Sequence, residues 1–246
     1  MEPKAAGMLY EGKAKIVYAT DDPDLVLVFF KDDATAFDGK KRAEIPDKGR
    51  CNNLISACLF EVLEQAGVPT HFVDVAGPRQ MVVRRLEMIP LEVVVRNVAA
   101  GSLVRRLGLE EGRELDPPVI ELYYKNDALG DPMVNRHHVR ALGAAEPGEI
   151  DEMERLALRV NQVLRPFLAE RGLKLVDFKL EFGRAGGRIV LGDEISPDTC
   201  RFRDIETGEI LDKDRFRRDL GGVIDAYREV LRRLVGDEAL PGDDAR

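Results

Sequence analysis

The chain has 246 residues, which is enough for one large domain or two small lobes. Its hydrophobic content of 44% and charged content of 33% exclude a disordered chain. The formal net charge of −8 argues against a nucleic-acid binder, which usually carries a basic surplus, but leaves room for a local basic pocket.

The cysteines and the N-terminal residues indicate a cytoplasmic protein. Cys51, Cys58 and Cys200 form no CxxC pair, so we expect reduced thiols. The first residues, MEPKAAG, lack the basic and apolar regions of a signal peptide. The apolar run at 25–30 is far too short to span a membrane, and we expect no membrane partner.

The beginning of the chain predicts two short strands around Gly12, within residues 8–20. Lys13 and Lys15 are two positions apart and therefore project to the same side. A glycine turn followed by two lysines could cover a polyphosphate. A solvated hairpin is the simpler interpretation, because the pattern matches neither of the common phosphate-loop motifs.

Further elements follow before residue 87. Residues 24–31 predict a buried strand, and the polar stretch 32–48 predicts a loop. The apolar stripe within residues 52–66 predicts a helix that ends before Gly67. We interpret His71 as a packed or surface histidine.

A hinge at 87–90 is predicted to divide the chain. Residues 1–87 would form a small strand-rich lobe and residues 88–236 a larger mixed lobe. Residues 237–246 would form a mobile tail. A cleft between two lobes is a frequent site for small molecules.

The second part of the chain offers a candidate anion site. A strand at 91–97 carries Arg96 near its end, and small residues then lead to Ser102 at the start of a short helix. Helix N-termini favour anions, and arginine is a bidentate phosphate donor. An ordinary serine cap beside an exposed arginine is the alternative. Amphipathic patterns predict helices at 150–171 and 213–236.

The stretch 173–201 predicts a hairpin that gathers charged side chains at one end. Its polar positions are Asp177, Lys179, Glu181, Asp193, Glu194, Asp198 and Arg201. Magnesium ions bind carboxylate oxygens and bridge them to phosphates, so we predict that Glu181 and Asp193 are metal ligands. The alternative is a solvated hairpin in which Lys179 neutralises its neighbours.

The register of this hairpin decides which face Asp193 occupies. A three-residue loop at 186–188, or an equivalent bulge, would place Glu181 opposite Asp193, and this is the register that we predict. A two-residue loop would place Glu181 opposite Gly192 and turn Asp193 toward the apolar face.

Eight stretches between residues 8 and 235, in the same order, resemble the SAICAR synthetase (phosphoribosylaminoimidazole-succinocarboxamide synthase) family in its stand-alone bacterial form. They are LYEGKAKIVY, KDDATAFDGKK, KGRCNN, VVVRNVAAGSLVRRLG, YYKNDALGDPMVN, VDFKLEFG, LGDEISPD and DRFRRDLGG. Each stretch alone is a weak signal, but the eight together are specific.

The resemblance implies a reaction and a fold. ATP, L-aspartate and carboxyaminoimidazole ribonucleotide (CAIR) would give the succinocarboxamide nucleotide (SAICAR), ADP and phosphate, through an acyl phosphate and with Mg²⁺. The fold would be α+β and two-lobed, with a small antiparallel N-terminal lobe, a larger mixed C-terminal lobe and ATP in the cleft between them. The resemblance also implies a homodimer.

The resemblance assigns roles to individual residues. ATP would be held by Gly12, Lys13, Ala14, Lys15 and Met88, and Mg²⁺ by Glu181 and Asp193. CAIR would be held by Arg96, Ser102, Arg201 and Arg217 around its phosphate and by Lys179 and Asp198 around its imidazole substituents. The catalytic set would be Lys179, Glu181, Asp193 and Asp198, with Asp177, Asp38 and Lys125 in secondary places. Cys200 stands where the family carries a small residue, and we expect it to be a packed side chain.

Two other functions share parts of this pattern. A kinase-like phosphotransferase acting on a small phosphorylated metabolite would need the same lysines and metal ligands but no amine substrate. An inert nucleotide-binding regulator would not need both Glu181 and Asp193.

Overall fold

The computed structural model describes residues 6–36 and 39–239. Most of these residues lie in strands or in helices. The strands are β1 (Gly7–Glu11), β2 (Lys15–Ala19), β3 (Leu25–Phe30), β4 (Asp33–Ala36), β5 (Lys41–Glu44), β6 (Phe72–Gly77), β7 (Gln80–Arg84), β8 (Glu87–Val98), β9 (Glu114–Tyr124), β10 (Met133–Val134), β11 (Leu173–Ala185), β12 (Arg188–Gly192) and β13 (Cys200–Asp204). The helices are α1 (Lys48–Gln65), α2 (Ser102–Leu107), α3 (Arg136–Leu142), α4 (Pro147–Ala169), α5 (Asp214–Arg217) and α6 (Val223–Val235).

The first sheet has five antiparallel strands in the order β1-β2-β3-β7-β6. The two predicted strands around Gly12 are confirmed as β1 and β2, and the turn between them closes where the Gly12 amide donates to the Lys15 carbonyl. The predicted buried strand is confirmed as β3, at the centre of the sheet.

The second sheet follows the order β10-β9-β8-β11-β12, and β13 also pairs with β11. Its named strands all pair antiparallel, which together with the helices confirms the predicted α+β class. Residues 87–90 are the first residues of β8, so the predicted hinge lies within a strand of this sheet. The division into lobes at residue 87 stays a prediction.

The predicted loop at 32–48 is wrong in part, because β4 and β5 form a two-stranded hairpin within it. Ala34 and Ala36 of β4 are buried and pack against Phe216. Alanine has little strand propensity, so burial against a distant aromatic ring stabilises this strand without leaving a local signal. The candidate residue Asp38 lies outside the described residues.

Two helix predictions need correction, one at its start and one in its interior. Helix α1 begins at Lys48, four residues before the predicted start. The single helix predicted at 213–236 is wrong: α5 and α6 are separate, and Asp219 (φ 56°), Gly221 (φ 69°) and Gly222 (φ 56°) have left-handed conformations between them. A helix cannot continue through such residues.

One hydrophobic core joins both sheets to the helices. Phe30 of β3, Ile55 of α1, Phe178 of β11 and Val230 of α6 all belong to it. Of the predicted tail, Asp237–Ala239 form a short 3-10 helix, and the rest lies outside the described residues. Within the described part of the chain, no helix is long and apolar enough to cross a membrane.

Candidate active site

The hairpin of β11 and β12 has a two-residue turn, so the predicted three-residue register is wrong. Gly186 (φ 55°) and Gly187 (φ 73°) both have left-handed conformations, as a tight turn that follows the strand twist requires. Ala185 pairs with Arg188, and Glu181 therefore pairs with Gly192.

Asp193 nevertheless reaches the same side as Glu181, because its backbone leaves the strand pattern. It follows the last residue of β12 and has a φ of 59°. Aspartate is one of the few residues that visits this region, at a cost of about 1–2 kcal/mol. Its carboxylate contacts Lys15 and lies 3.8 Å from the Nζ of Lys179.

A partly buried cluster of ion pairs surrounds these two carboxylates. It consists of Lys15, Glu92, Lys125, Lys179, Glu181, Asp193 and Glu194. Lys179 donates to Glu181 at 2.5 Å and to Glu92 at 3.0 Å. The strand face that carries Lys179 and Glu181 thus forms the floor of a charged site, as the alternation of β11 predicts.

The charge states in this cluster follow from its ion pairs. Burial disfavours the charged form of Lys179, but Glu181 and Asp193 outweigh it and raise the pKa of Lys179 well above its usual value. Burial alone would raise the pKa of Asp193, but Lys15 and Lys179 hold that pKa below its usual range. Lysine and aspartate are therefore both ionised at neutral pH.

Asp198 lies in a second buried cluster. Its carboxylate accepts hydrogen bonds from Lys48 Nζ at 2.7 Å and from the Tyr227 hydroxyl at 2.6 Å, and Lys213 Nζ lies 3.8 Å away. Burial alone would raise the pKa of Asp198, but Lys213 and Lys48 hold it well below the usual range. Asp198 is a fixed anion, and its partners were not predicted from the sequence.

Arg96 and Ser102 are brought together as predicted. Arg96 Nη2 donates to Ser102 Oγ at 3.2 Å. The guanidinium is buried and also donates to Glu121 and Asp177, each at 2.7 Å. The alternative of an exposed arginine beside a serine cap is wrong.

Arg201 and Arg217 extend this row of guanidinium groups. Arg201 donates to Asp177 and to Asp214, each at 2.8 Å, and Arg217 donates to Asp214 at 2.6 Å. Arg96, Arg201 and Arg217 line one small cavity of about 130 Å³, which we call the arginine pocket.

Two further cavities continue from this one. The central pocket, about 420 Å³, is lined by Gly12, Lys13, Ala14, Lys15, Lys125, Lys179, Glu181, Asp193, Asp198 and Lys213. The apolar pocket, about 430 Å³, is lined by Met88, Leu86, His71, Val17, Val26, Val28 and Val83.

The three pockets form one groove. Lys179 and Asp198 line both the arginine pocket and the central pocket. Lys15 and Glu181 line both the central pocket and the apolar pocket. The Gly12 turn closes over the middle, where Lys13 Nζ lies 2.8 Å from a carboxylate oxygen of Asp127. The groove therefore has an apolar end, a charged middle and a cationic end.

Glu181 and Asp193 fit a magnesium ion as two carboxylates facing one space. Within residues 6–36 and 39–239, no group of three acidic, histidine or cysteine side chains could hold a metal by itself. Magnesium is commonly bound by one or two carboxylates together with substrate phosphates, and this donor set matches that pattern.

Cys200 is a packed side chain, as expected. It is buried, and burial raises its thiol pKa well above the usual value. A thiol in this environment is a poor nucleophile.

Comparison with known proteins identifies the family of this chain. The model of the SAICAR synthetase family matches residues 8–234. The phosphoribosylaminoimidazole-succinocarboxamide synthase of Desulfitobacterium hafniense is 62% identical over 227 residues, which is 92% of this chain and 95% of the relative. The enzyme of that name from Coprothermobacter proteolyticus is 60% identical over 228 residues, or 92% of this chain and 97% of the relative.

Solved structures point to the same family. A SAICAR synthetase in complex with ADP has a TM-score of 0.90 and 54% identity, over 93% of this chain and 97% of that one. The phosphoribosylaminoimidazole-succinocarboxamide synthase of Ehrlichia chaffeensis has a TM-score of 0.91 and 45% identity, over 96% of this chain and 100% of that one. The predicted resemblance is confirmed, and the chain belongs to the SAICAR synthetase family.

Proposed function

We propose that this protein joins CAIR to L-aspartate with the hydrolysis of ATP, giving SAICAR, ADP and phosphate. The observation that carries the proposal is the continuous groove, whose three parts suit ATP and a second substrate that carries a phosphate. The 62% identity to a phosphoribosylaminoimidazole-succinocarboxamide synthase supports the choice of reaction. The apolar pocket beside Met88 suits an adenine ring, and the lysine-lined middle suits phosphates. The arginine pocket suits a second phosphate.

ATP would lie between the apolar pocket and the Gly12 turn. The structure of a SAICAR synthetase with 54% identity to this chain contains ADP, which supports a nucleotide site in this protein. Lys13 and Lys15 project from the turn toward the central pocket, where their charges would neutralise the phosphates.

Glu181 and Asp193 would hold Mg²⁺ in the central pocket. When bound there, the ion would neutralise phosphate charge. Ion pairs with Lys15, Lys125 and Lys179 hold both carboxylates at the edge of this pocket. Lys15 and Lys179 also hold the pKa of Asp193 below its usual range, so that this carboxylate is an anion.

CAIR would lie with its 5′-phosphate in the arginine pocket, against Arg96, Ser102, Arg201 and Arg217. Its imidazole substituents would then reach Lys179 and Asp198 in the central pocket. Asp198 is held as an anion, so it would accept hydrogen bonds from the substrate and would not act as a proton acceptor in catalysis.

The reaction would proceed in two displacements. A carboxylate oxygen of CAIR forms a bond to the γ-phosphorus of ATP, and the bond to the bridging oxygen breaks to release ADP. The neutral amine of aspartate then attacks the acyl carbon, and the carbon–oxygen bond to phosphate breaks. The nitrogen loses one proton, which the departing phosphate takes up. Lys179 would stabilise the negative charge on the acyl oxygens, because its raised pKa keeps it protonated.

We further propose that the protein works as a cytoplasmic homodimer without nucleic-acid or membrane partners. Three free cysteines fit a reducing compartment, and a net charge of −8 is unfavourable for nucleic acid. The edge strand β1 exposes Met8, which a second copy would cover. Light scattering after size-exclusion chromatography tests the dimer, since a monomeric mass would contradict it.

The function is tested by ADP release with Mg²⁺ and ATP in the presence of CAIR alone, aspartate alone, or both. We expect ADP and SAICAR together only in the complete mixture. Release of ADP with a stable phosphorylated product from CAIR alone would favour the phosphotransferase. No ADP in any mixture would favour the regulator.

A further inference from the structure

Asp214 holds two of the three arginines that line the arginine pocket. Its Oδ2 accepts from Arg201 Nε at 2.8 Å, and its Oδ1 accepts from Arg217 Nη1 at 2.6 Å. The carboxylate is buried, at 3% exposure. Among the described residues around the arginine pocket, Asp214 lies behind the guanidinium groups and does not line the cavity.

We propose that Asp214 is a positioning residue that aims Arg201 and Arg217 at the phosphate of the nucleotide substrate. The inference rests on the proposed function, in which these arginines bind the 5′-phosphate of CAIR. Arginine side chains have many rotamers, and fixing two of them before binding reduces the entropy that the ligand must remove.

The hydrogen bonds from Arg201 and Arg217 to Asp214 leave other N–H groups of both arginines for a ligand. Arg201 uses Nε for Asp214 and Nη1 for Asp177, and its Nη2 lies over Gly101. Arg217 uses Nη1 for Asp214. A guanidinium carries five N–H groups, so both arginines retain donors for phosphate oxygens.

Asp214 is itself fixed by its surroundings. Its backbone amide donates to Asp212 Oδ1 at 2.7 Å, at the start of α5. Asp212 also accepts from the amide of Phe202 at 2.9 Å on β13. The carboxylate of Asp214 is therefore anchored to the second sheet and not to a free loop.

Asp214 is ionised throughout the useful pH range. Burial would raise its pKa, but Arg201 and Arg217 outweigh burial and hold the pKa at about 2. The charge that orients both guanidinium groups is therefore permanent, and replacing it with an amide removes it without changing the shape of the side chain.

The test compares Asp214→Asn with Glu209→Gln. Glu209 is the matched control because it is an exposed carboxylate that pairs with Arg215 at 2.7 Å and does not line the arginine pocket. We expect Asp214→Asn to raise the KM for CAIR roughly ten- to hundredfold, while kcat and the KM values for ATP and aspartate stay within about twofold. Glu209→Gln should leave every constant unchanged.

Binding of inorganic phosphate gives a readout that does not depend on turnover. Calorimetry should show wild-type protein binding phosphate roughly tenfold or more tightly than Asp214→Asn. Equal phosphate affinity, or a parallel change in kcat and all three KM values, would overturn the positioning role. If wild-type protein binds phosphate but forms no SAICAR, the proposed function fails and the phosphate comparison still decides the role of Asp214.

Asp214→Glu keeps the negative charge and is the variant to measure if Asp214→Asn does not fold. Its longer side chain displaces both guanidinium groups, so we expect a KM for CAIR between those of wild type and Asp214→Asn. A wild-type KM for CAIR in this variant, together with wild-type affinity for phosphate, would overturn the proposal.

Discussion

The ammonium of Lys179 donates to Glu181 at 2.5 Å, and the two side chains share one face of β11 because they are two positions apart. The same ammonium lies 3.8 Å from Asp193, which comes from beyond the end of β12. One lysine therefore bridges the two carboxylates that we assign to Mg²⁺. Its positive charge offsets the repulsion between them.

Glu181→Gln and Asp193→Asn should each reduce turnover by roughly a thousandfold or more, because each removes one carboxylate from the proposed Mg²⁺ site. The measurement is the rate of ADP release as a function of Mg²⁺ concentration. Glu152→Gln is the control, since its carboxylate pairs with Arg155 on the exposed side of α4. Near-normal rates in both site variants at ordinary Mg²⁺ would refute the metal assignment.

Tyr227→Phe should lower the free energy of unfolding by about 1–3 kcal/mol, because it leaves a buried oxygen of Asp198 without its donor. In the wild-type protein the Tyr227 hydroxyl donates to Asp198 Oδ1 at 2.6 Å, and Tyr227 is only 1% exposed. Urea unfolding gives the energy. Tyr18 on β2 is half-buried, so Tyr18→Phe should change the free energy of unfolding by less than about 0.5 kcal/mol. A similar small change in Tyr227→Phe would show that the bond does not stabilise the fold.

Gly101→Ala should raise the KM for CAIR as well as destabilise the protein. Gly101 has a φ of +56°, and an added Cβ would lie 2.6 Å from Arg201 Nη2. Gly208 has a φ of +73° with open space around it, so Gly208→Ala shows the backbone effect alone. We expect Gly208→Ala to lose about 1–2 kcal/mol of stability. Gly101→Ala should lose more, because its added Cβ also clashes with Arg201 and its ψ of −126° lies outside the left-handed helical region. Only Gly101→Ala should bind CAIR more weakly, and an unchanged KM would contradict the phosphate role of Arg201.

His71 should make the protein less stable in mild acid. Burial lowers its pKa to about 3, although Asp193 acts in the opposite direction. Between this value and the unfolded pKa of about 6.5, only the unfolded chain takes up the proton, so stability is lost as the pH falls through that range. We expect a loss of about 2 kcal/mol from this group between about pH 7 and about pH 5.

Urea unfolding of His71→Gln at the two pH values measures that loss. The variant should lack this part of the pH dependence. His137→Gln, on an exposed turn of α3, is the control and should keep the wild-type difference. The same pH dependence in wild type and His71→Gln would rule out His71 as its source.

Local patterns are sufficient to predict most of the strands and part of the site. The alternation of β11 places Lys179 and Glu181 on one face, and the described strand agrees. The same pattern cannot place Asp193, because the face of that residue depends on a φ of 59° at one position. The register prediction is wrong because it assumes a regular strand beyond Gly192.

The residues missed from the sequence act over long distances. Lys48 and Tyr227 meet Asp198 from separate helices, and Asp214 meets Arg201 across a turn of the chain. Lysine, tyrosine and aspartate at such positions have no distinctive local pattern. Their roles follow only from the tertiary packing, which brings α1 and α6 together beside Asp198 and places α5 beside Arg201.

In the proposed reaction, ATP activates the carboxylate of CAIR for attack by aspartate. The most direct test uses CAIR labelled with oxygen-18 in that carboxylate, with mass analysis of the phosphate released. We expect one labelled oxygen in the phosphate for each SAICAR formed. Unlabelled phosphate alongside labelled SAICAR would show that the carboxylate is never phosphorylated, and would contradict the account.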